Sequence, residues 1–283
     1  MLPLYGKSRS FLLSMLQLGD VVPGIVRLND VPGNDGEFAV KESVPEVEGF
    51  IQKRKTLGLF LGATGCGKSK YLPAAYAALM AKNKHPGQLL VLTTAAKDVE
   101  DMHAHCAKKE PCHFRIGGGI RGGCKWGKAS VVFATVGLAS RWYAFGGLKF
   151  FHCFGAVLLD EFGTVERDIE YSFIFEVMCK IQAQRPTCLP FFILMCTATM
   201  SERLTRAVDM LGPSKIECPR RPYPLERYQV EMESFPAMYE AIAKCAVAIL
   251  RSRRTVLVFL PGQDEIASVQ ALLTSAGTGY KTR

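Results

Sequence analysis

Residues Gly62 to Ser69 read GATGCGKS. An apolar run, TLGLFL (Thr56 to Leu61), comes directly before them, and a helix-like segment, KYLPAAYAALMA, follows. The pattern G-x-x-x-x-G-K-[ST] between a strand and a helix is a P-loop, and it restricts the chain to folds that present a glycine loop at a strand end. Gly62, Gly65 and Gly67 let the backbone turn tightly. The amides of Thr64, Gly65, Cys66 and Gly67, with the helix N-terminus, then form an anion site for nucleotide phosphates. Lys68 adds a charge over those phosphates, and Ser69 offers a hydroxyl to Mg²⁺. A glycine-rich turn with a solvated lysine is the alternative reading of the same eight letters.

From about residue 43 short apolar runs alternate with amphipathic ones. The expected strands are 57–62, 88–93, 130–135, 156–160 and 191–196. The expected helices between them are 67–81, 98–109, 168–183 and 201–211. Alternation of this kind implies a parallel sheet with helices on both faces, and near-continuous apolar strands imply burial on both sides. LNDVPGNDGE (Leu28 to Glu37) reads as a linker, and CPRRPYPLERY (Cys218 to Tyr228) as a boundary. Beyond it a helix over 238–251, a strand over 255–260 and a helix from Asp264 look like the first βα unit of a second α/β domain. The expected division is an extension over 1–40, a nucleotide-binding domain over 41–232 and the start of a second domain over 233–283.

The 283 residues are 48% hydrophobic and 22% charged, enough apolar material for a real core. The net charge of +9 favours a polyanionic partner without saying which. Ten cysteines, most in or beside apolar runs, read as buried thiols of a reducing, intracellular compartment, nuclear or cytoplasmic. His103, His105, Cys106, Cys112 and His113 match no common zinc spacing. No apolar stretch is long enough to span a membrane.

A second phosphate-site element is AVLLDEFG (Ala156 to Gly163), an apolar strand ending in two acids. A P-loop enzyme needs one carboxylate to hold Mg²⁺ and another to orient the attacking water. Asp160 suits the first role and Glu161 the second. A solvated strand cap would show the same pair.

These motifs together resemble superfamily 2 helicases, most closely the DEAH-box RNA helicases. GATGCGKS, DEFG and TAT (Thr197 to Thr199) look like their motifs I, II and III. RRPYPLE (Arg220 to Glu226) is similar to the family's G-R-x-x-P-V-x segment. VLVFLPGQDEI (Val256 to Ile266) follows motif IV almost letter for letter, and FATVGL (Phe133 to Leu138) resembles the start of the T-x-G-x-L motif. The resemblance spans about residues 43 to 275. It implies a doubly wound, mostly parallel α/β sheet of the RecA-like P-loop NTPase type, followed by a truncated second RecA-like domain. It further implies ATP and Mg²⁺ as cofactors, RNA and protein co-activators as partners, and Lys68, Asp160 and Glu161 as catalytic residues. Thr197 and Thr199 would border the nucleotide, while Thr135, Gly137 and Lys97 would touch the RNA backbone. In RIGGGIRGGCKWGK (Arg115 to Lys128), Arg121 and Lys125 are further candidates, since a flexible basic loop with one aromatic can track phosphates.

The departures bear on function. Gly163 replaces the family's motif II histidine, which links hydrolysis to motif III, and Thr164 and Val165 lengthen the loop that follows. Thr197 replaces serine, Ala139 replaces leucine, and motif Ia keeps Lys97 but loses an arginine. A pseudo-helicase that binds without productive turnover is therefore one rival. A small-metabolite kinase and a helicase of viral type are two others.

Overall fold

The computed structural model describes residues 26–27, 39–108, 112–115, 130–185, 190–219, 228–251 and 256–276. The chain divides into two compact units, one of Pro32–Pro224 and one of Met1–Val31 with Leu225–Arg283.

The larger unit is a seven-stranded sheet in the order β4-β5-β3-β6-β7-β2-β8, with every neighbouring pair parallel. Its strands are β2 (Leu57–Gly62), β3 (Gln88–Thr93), β4 (Cys112–Arg115), β5 (Val131–Thr135), β6 (Phe154–Leu159), β7 (Phe192–Thr197) and β8 (Ser214–Cys218). The helices are α1 (Val44–Gln52), α2 (Lys68–Lys82), α3 (Ala96–Cys106), α4 (Val136–Gly146), α5 (Ile169–Gln184) and α6 (Glu202–Met210).

Successive side chains on a strand leave by opposite faces. The two faces therefore collect separate cores. Phe60, Val91, Phe133, Leu158 and Leu194 pack under α1, α2 and α3 with Phe50, Tyr76 and Met102. Leu59, Leu92, Val132, Val157 and Met195 pack under α4, α5 and α6 with Trp142, Ile174 and Leu204. This is the expected doubly wound arrangement. Parallel pairing brings all the strand C-termini to one edge, the edge where open α/β sheets bind ligands.

β2 and β3 fall where the apolar runs place them. β8, SKIEC, was not anticipated: it is five residues with two charges and buries only Ile216 and Cys218. Its position at the sheet margin, paired on one side with β2, explains that composition.

The smaller unit holds β1 (Val26–Arg27) paired antiparallel with β9 (Tyr228–Gln229), together with α7 (Phe235–Arg251) and α8 (Gln263–Ser275), which pack on each other. The strand expected over 255–260 is not formed. Thr255 lies outside the described residues, and 256–260 run without strand structure, with Leu257 77% and Phe259 87% exposed. A strand exists through its ladder, and no described segment pairs with this one.

Candidate nucleotide site

The glycines of the loop do what their spacing suggests at two positions. Gly65 and Gly67 have φ of +83° and +102°, in the left-handed region that side chains disfavour. Gly67 is the N-cap of α2, so the loop hands the chain to the helix with its first amides free of helical partners. Thr64 and Gly65 form the exposed crown of the loop, whereas Cys66 and Lys68 are buried beneath it. Lys68 Nζ donates to the carbonyls of Gly62, at 2.7 Å, and Ala63, at 3.3 Å. The ammonium is thus held at the anion site.

Asp160 directly follows β6 and is 2% exposed. Its position is pinned from behind, because its amide donates to the Leu92 carbonyl at 2.8 Å and the Tyr171 hydroxyl donates to its carbonyl. Burial pushes its carboxyl up to about 6, although the Ser69 hydroxyl, hydrogen-bonded to it, and the Lys68 charge pull the other way. Oδ1 is buried without a hydrogen-bond partner. A buried, unpartnered carboxylate oxygen beside a serine hydroxyl and a phosphate loop is an oxygen donor set suited to Mg²⁺. The residues present therefore fit that ion, which Ser69 and Asp160 would hold.

Glu161 is exposed and takes a left-handed conformation, φ +53°, which costs a non-glycine residue about 1–2 kcal/mol. The following turn holds it there. Thr164 donates to the Glu161 carbonyl through both its amide and its hydroxyl, each at 2.9 Å.

β7 lies between β2 and β6, so Thr197 at its end sits between the two arms of the site. Its hydroxyl donates to the Thr199 carbonyl at 2.7 Å and accepts from the amides of Thr199 and Gly163, both at 3.3 Å. A Cβ on Gly163 would lie 2.4 Å from the Thr199 carbonyl oxygen and 2.9 Å from Thr197 Oγ1. The loop after β6 and the loop after β7 are therefore joined by a backbone amide at the position where a histidine was expected. A second link, Ser201 Oγ to Glu166 Oε2 at 2.5 Å, joins the same two segments. Neither contact is legible in the sequence, because the partners are 34 and 35 residues apart.

The expected nucleic-acid residues are only partly described. Arg121 and Lys125 lie outside the described residues. Lys97 is exposed on α3, where it pairs with Asp101 at 3.0 Å. Thr135 ends β5 and caps α4, accepting the Leu138 amide at 3.2 Å. Gly137 sits in the first turn of α4 with the Glu170 carboxylate against it. Thr135 and Lys97 follow neighbouring strands, at the edge that carries the phosphate loop.

No protein-family model matches the sequence, and no curated protein matches it significantly. Solved structures do. The Escherichia coli DExH-box NTPase HrpB superposes with a TM-score of 0.61 at 22% identity, covering 84% of this chain and 29% of that one. Another crystal structure, described as the Escherichia coli DEAH/RHA helicase HrpB, gives 0.59 at 20% identity, covering 84% of this chain and 30% of that one. The DUF1998 helicase MrfA bound to DNA gives 0.63 at 13% identity, covering 95% of this chain and 44% of that one. The chain spans less than a third of the length of the HrpB structures. Likeness at these identities speaks to architecture, and it agrees with the sheet order and the phosphate loop: the chain has the fold of a RecA-like helicase domain.

Proposed function

We propose that this chain is the nucleotide-binding part of a DEAH-like, ATP-dependent RNA helicase. The observation that carries the reading is the buried Asp160 carboxylate at the phosphate loop, which is hydrogen-bonded to Ser69 and keeps its Oδ1 without a partner. Lys68 would neutralise phosphate charge. Ser69 and Asp160 would hold Mg²⁺, which would supply charge compensation for the transferring phosphoryl group. Glu161, exposed and set at a fixed backbone angle, would orient the attacking water. Thr135, Gly137 and Lys97, at the same sheet edge, would meet the nucleic-acid backbone. RNA is the preferred strand because the motifs resemble RNA helicases, although one structural neighbour is a DNA-bound helicase.

The rival is a pseudo-helicase that binds without turnover. The Gly163–Thr197 contact weighs against it, since the two loops are joined without the histidine. The deciding experiment measures ATP hydrolysis with no nucleic acid, with single-stranded RNA and with single-stranded DNA, for the natural chain and for Lys68→Ala. Stimulation by RNA above DNA, lost in Lys68→Ala, is the expected result. The lost phosphate contact should weaken ATP binding by about 1.5–3 kcal/mol. Tight nucleotide binding with no turnover under any condition would establish the rival.

A further inference from the structure

Cross-strand register sets Cys218, the last residue of β8, opposite Gly62, the last residue of β2. Opposed residues on neighbouring parallel strands point to the same face of the sheet. Gly62 has no side chain, and Cys66 fills the space: its Sγ lies 2.8 Å from where a Cβ on Gly62 would stand. The Cys66 thiol therefore comes back from the phosphate loop to the place beside Cys218, and the two side chains hydrogen-bond. They are 0% and 3% exposed, both are free thiols, and both belong to the core face under α1 and α2. The backbones meet as well, since the Ala63 amide donates to the Cys218 carbonyl at 2.9 Å. A bond between these sulfurs would tie the phosphate loop to the marginal strand of the sheet.

The two thiols are unequal. The hydrogen bond from Cys218 and the nearby Lys68 ammonium hold the Cys66 thiol down to about 7, against its burial, while the same hydrogen bond pushes Cys218 up. Cys66 is thus the readier nucleophile and Cys218 the resolving partner. A third thiol, Cys196, is fully buried, is pushed well up by that burial and donates to the Leu194 carbonyl, so it stays protonated.

We propose that Cys66 and Cys218 are a disulfide-forming site for a peroxide oxidant, and that the bond closes the phosphate loop to nucleotide. The Cys66 thiolate attacks one peroxide oxygen. The O–O bond breaks, the departing hydroxide takes a proton to become water, and the sulfur is left as a sulfenic acid. The Cys218 sulfur then attacks that sulfur. The S–O bond breaks and a second water leaves with the Cys218 proton. Two thiols and one hydrogen peroxide give one disulfide and two waters. Both sulfurs are buried, so peroxide would reach Cys66 when the loop above it, whose Thr64 and Gly65 are exposed, opens locally. The oxidised loop cannot move away from β8 to wrap a phosphate, so Lys68 stays on the Gly62 and Ala63 carbonyls.

The second half of the proposal rests on the nucleotide reading, and the test separates them. The full chain is treated with hydrogen peroxide, alkylated and digested without reductant, and its cross-linked peptides are identified by mass spectrometry. A Cys66–Cys218 peptide is expected, absent in Cys218→Ser. No such peptide, or a predominant Cys66–Cys196 one, overturns the site. In parallel, ATP affinity is measured before oxidation, after it and after dithiothreitol. Oxidation should weaken binding by about tenfold or more, as for loss of one charge-assisted phosphate contact, and reductant should restore it. Cys218→Ser should bind like the untreated chain before oxidation, and after peroxide it should carry a Cys66 sulfenic acid, read with a sulfenate-specific label, in place of the cross-link. Equal affinity of the oxidised and reduced chains overturns the closing of the loop. Failure of the reduced chain to bind ATP at all refutes the nucleotide reading, and with it the closing of the loop, while the cross-link still decides the thiol pair.

Discussion

The two units of this chain are built from similar sequence material and end in opposite states. In the sheet unit the apolar runs are covered on both faces, and β6 and β7 bury every residue. In the smaller unit VLVFL (Val256 to Leu260) is as apolar, yet it buries none of its residues and forms no strand. The helices of that unit are also thinly covered. α7 buries only Ala241, Ala243 and Ala246, α8 only Val269, and an open groove lined by Lys244, Val247 and Leu272 runs between them. Apolar composition supplies the driving force for burial, but a strand also needs neighbours for its amides and carbonyls. The first unit provides them and the second, among its described residues, does not.

Four sets of measurements test how far this contrast extends. The largest effect should come from Phe133→Ala in β5, a fully buried ring under α2 and α3. It should lower the stability of the sheet unit by about 3–5 kcal/mol, read as a shifted urea midpoint. A loss below about 1 kcal/mol would mean that this face is not a packed core.

Gly163→Ala comes next. Its Cβ would meet the Thr199 carbonyl at 2.4 Å, backbone against side chain, so the loop after β6 must shift. The expected cost is about 1–3 kcal/mol of stability, with turnover falling more than ATP affinity. Thr197→Ser keeps the hydroxyl and should behave like the natural chain, whereas Thr197→Val should mimic Gly163→Ala. If Thr197→Val hydrolysed ATP normally, the join between the two loops would have no catalytic role.

His85 reports burial electrostatically. Burial lowers its pKa, while its ring nitrogen contacts the Gly155 carbonyl at 3.0 Å. The folded state therefore binds a proton less readily than the unfolded chain, whose histidine titrates near ~6.5. Between the lowered value and that one the unfolded state holds more protons, so stability should fall as pH drops below ~6.5. His85→Gln should flatten this part of the pH–stability curve. An unchanged slope would place the titration elsewhere.

The smallest effect should follow Phe259→Ser, whose ring is 87% exposed. Stability should change by no more than about 0.5 kcal/mol, while solubility improves because an exposed apolar run is interrupted. A large destabilisation would show that this segment is covered in solution.

What could be read from the sequence was what depends on near neighbours. The phosphate loop is eight adjacent residues, and the two acids sit together at the end of one apolar run. The alternation of strands and helices follows from local spacing, so the doubly wound class was legible, and Lys68, Ser69, Asp160 and Glu161 could be named as candidates from the same local pattern. Even the left-handed turns at Gly65 and Gly67 are local demands that glycine answers.

Tertiary structure decided what depends on pairing across the chain. The order of the strands set β7 between the two arms of the site and joined Gly163 to Thr197. Register brought Cys218 beside a loop residue 152 positions earlier. Pairing made a strand of the charged SKIEC and none of the apolar VLVFL. Hydrophobicity along a sequence measures the tendency to leave water, which each residue carries by itself. A hydrogen-bond ladder or a thiol contact is a property of two segments at once, and only the folded chain says which two meet.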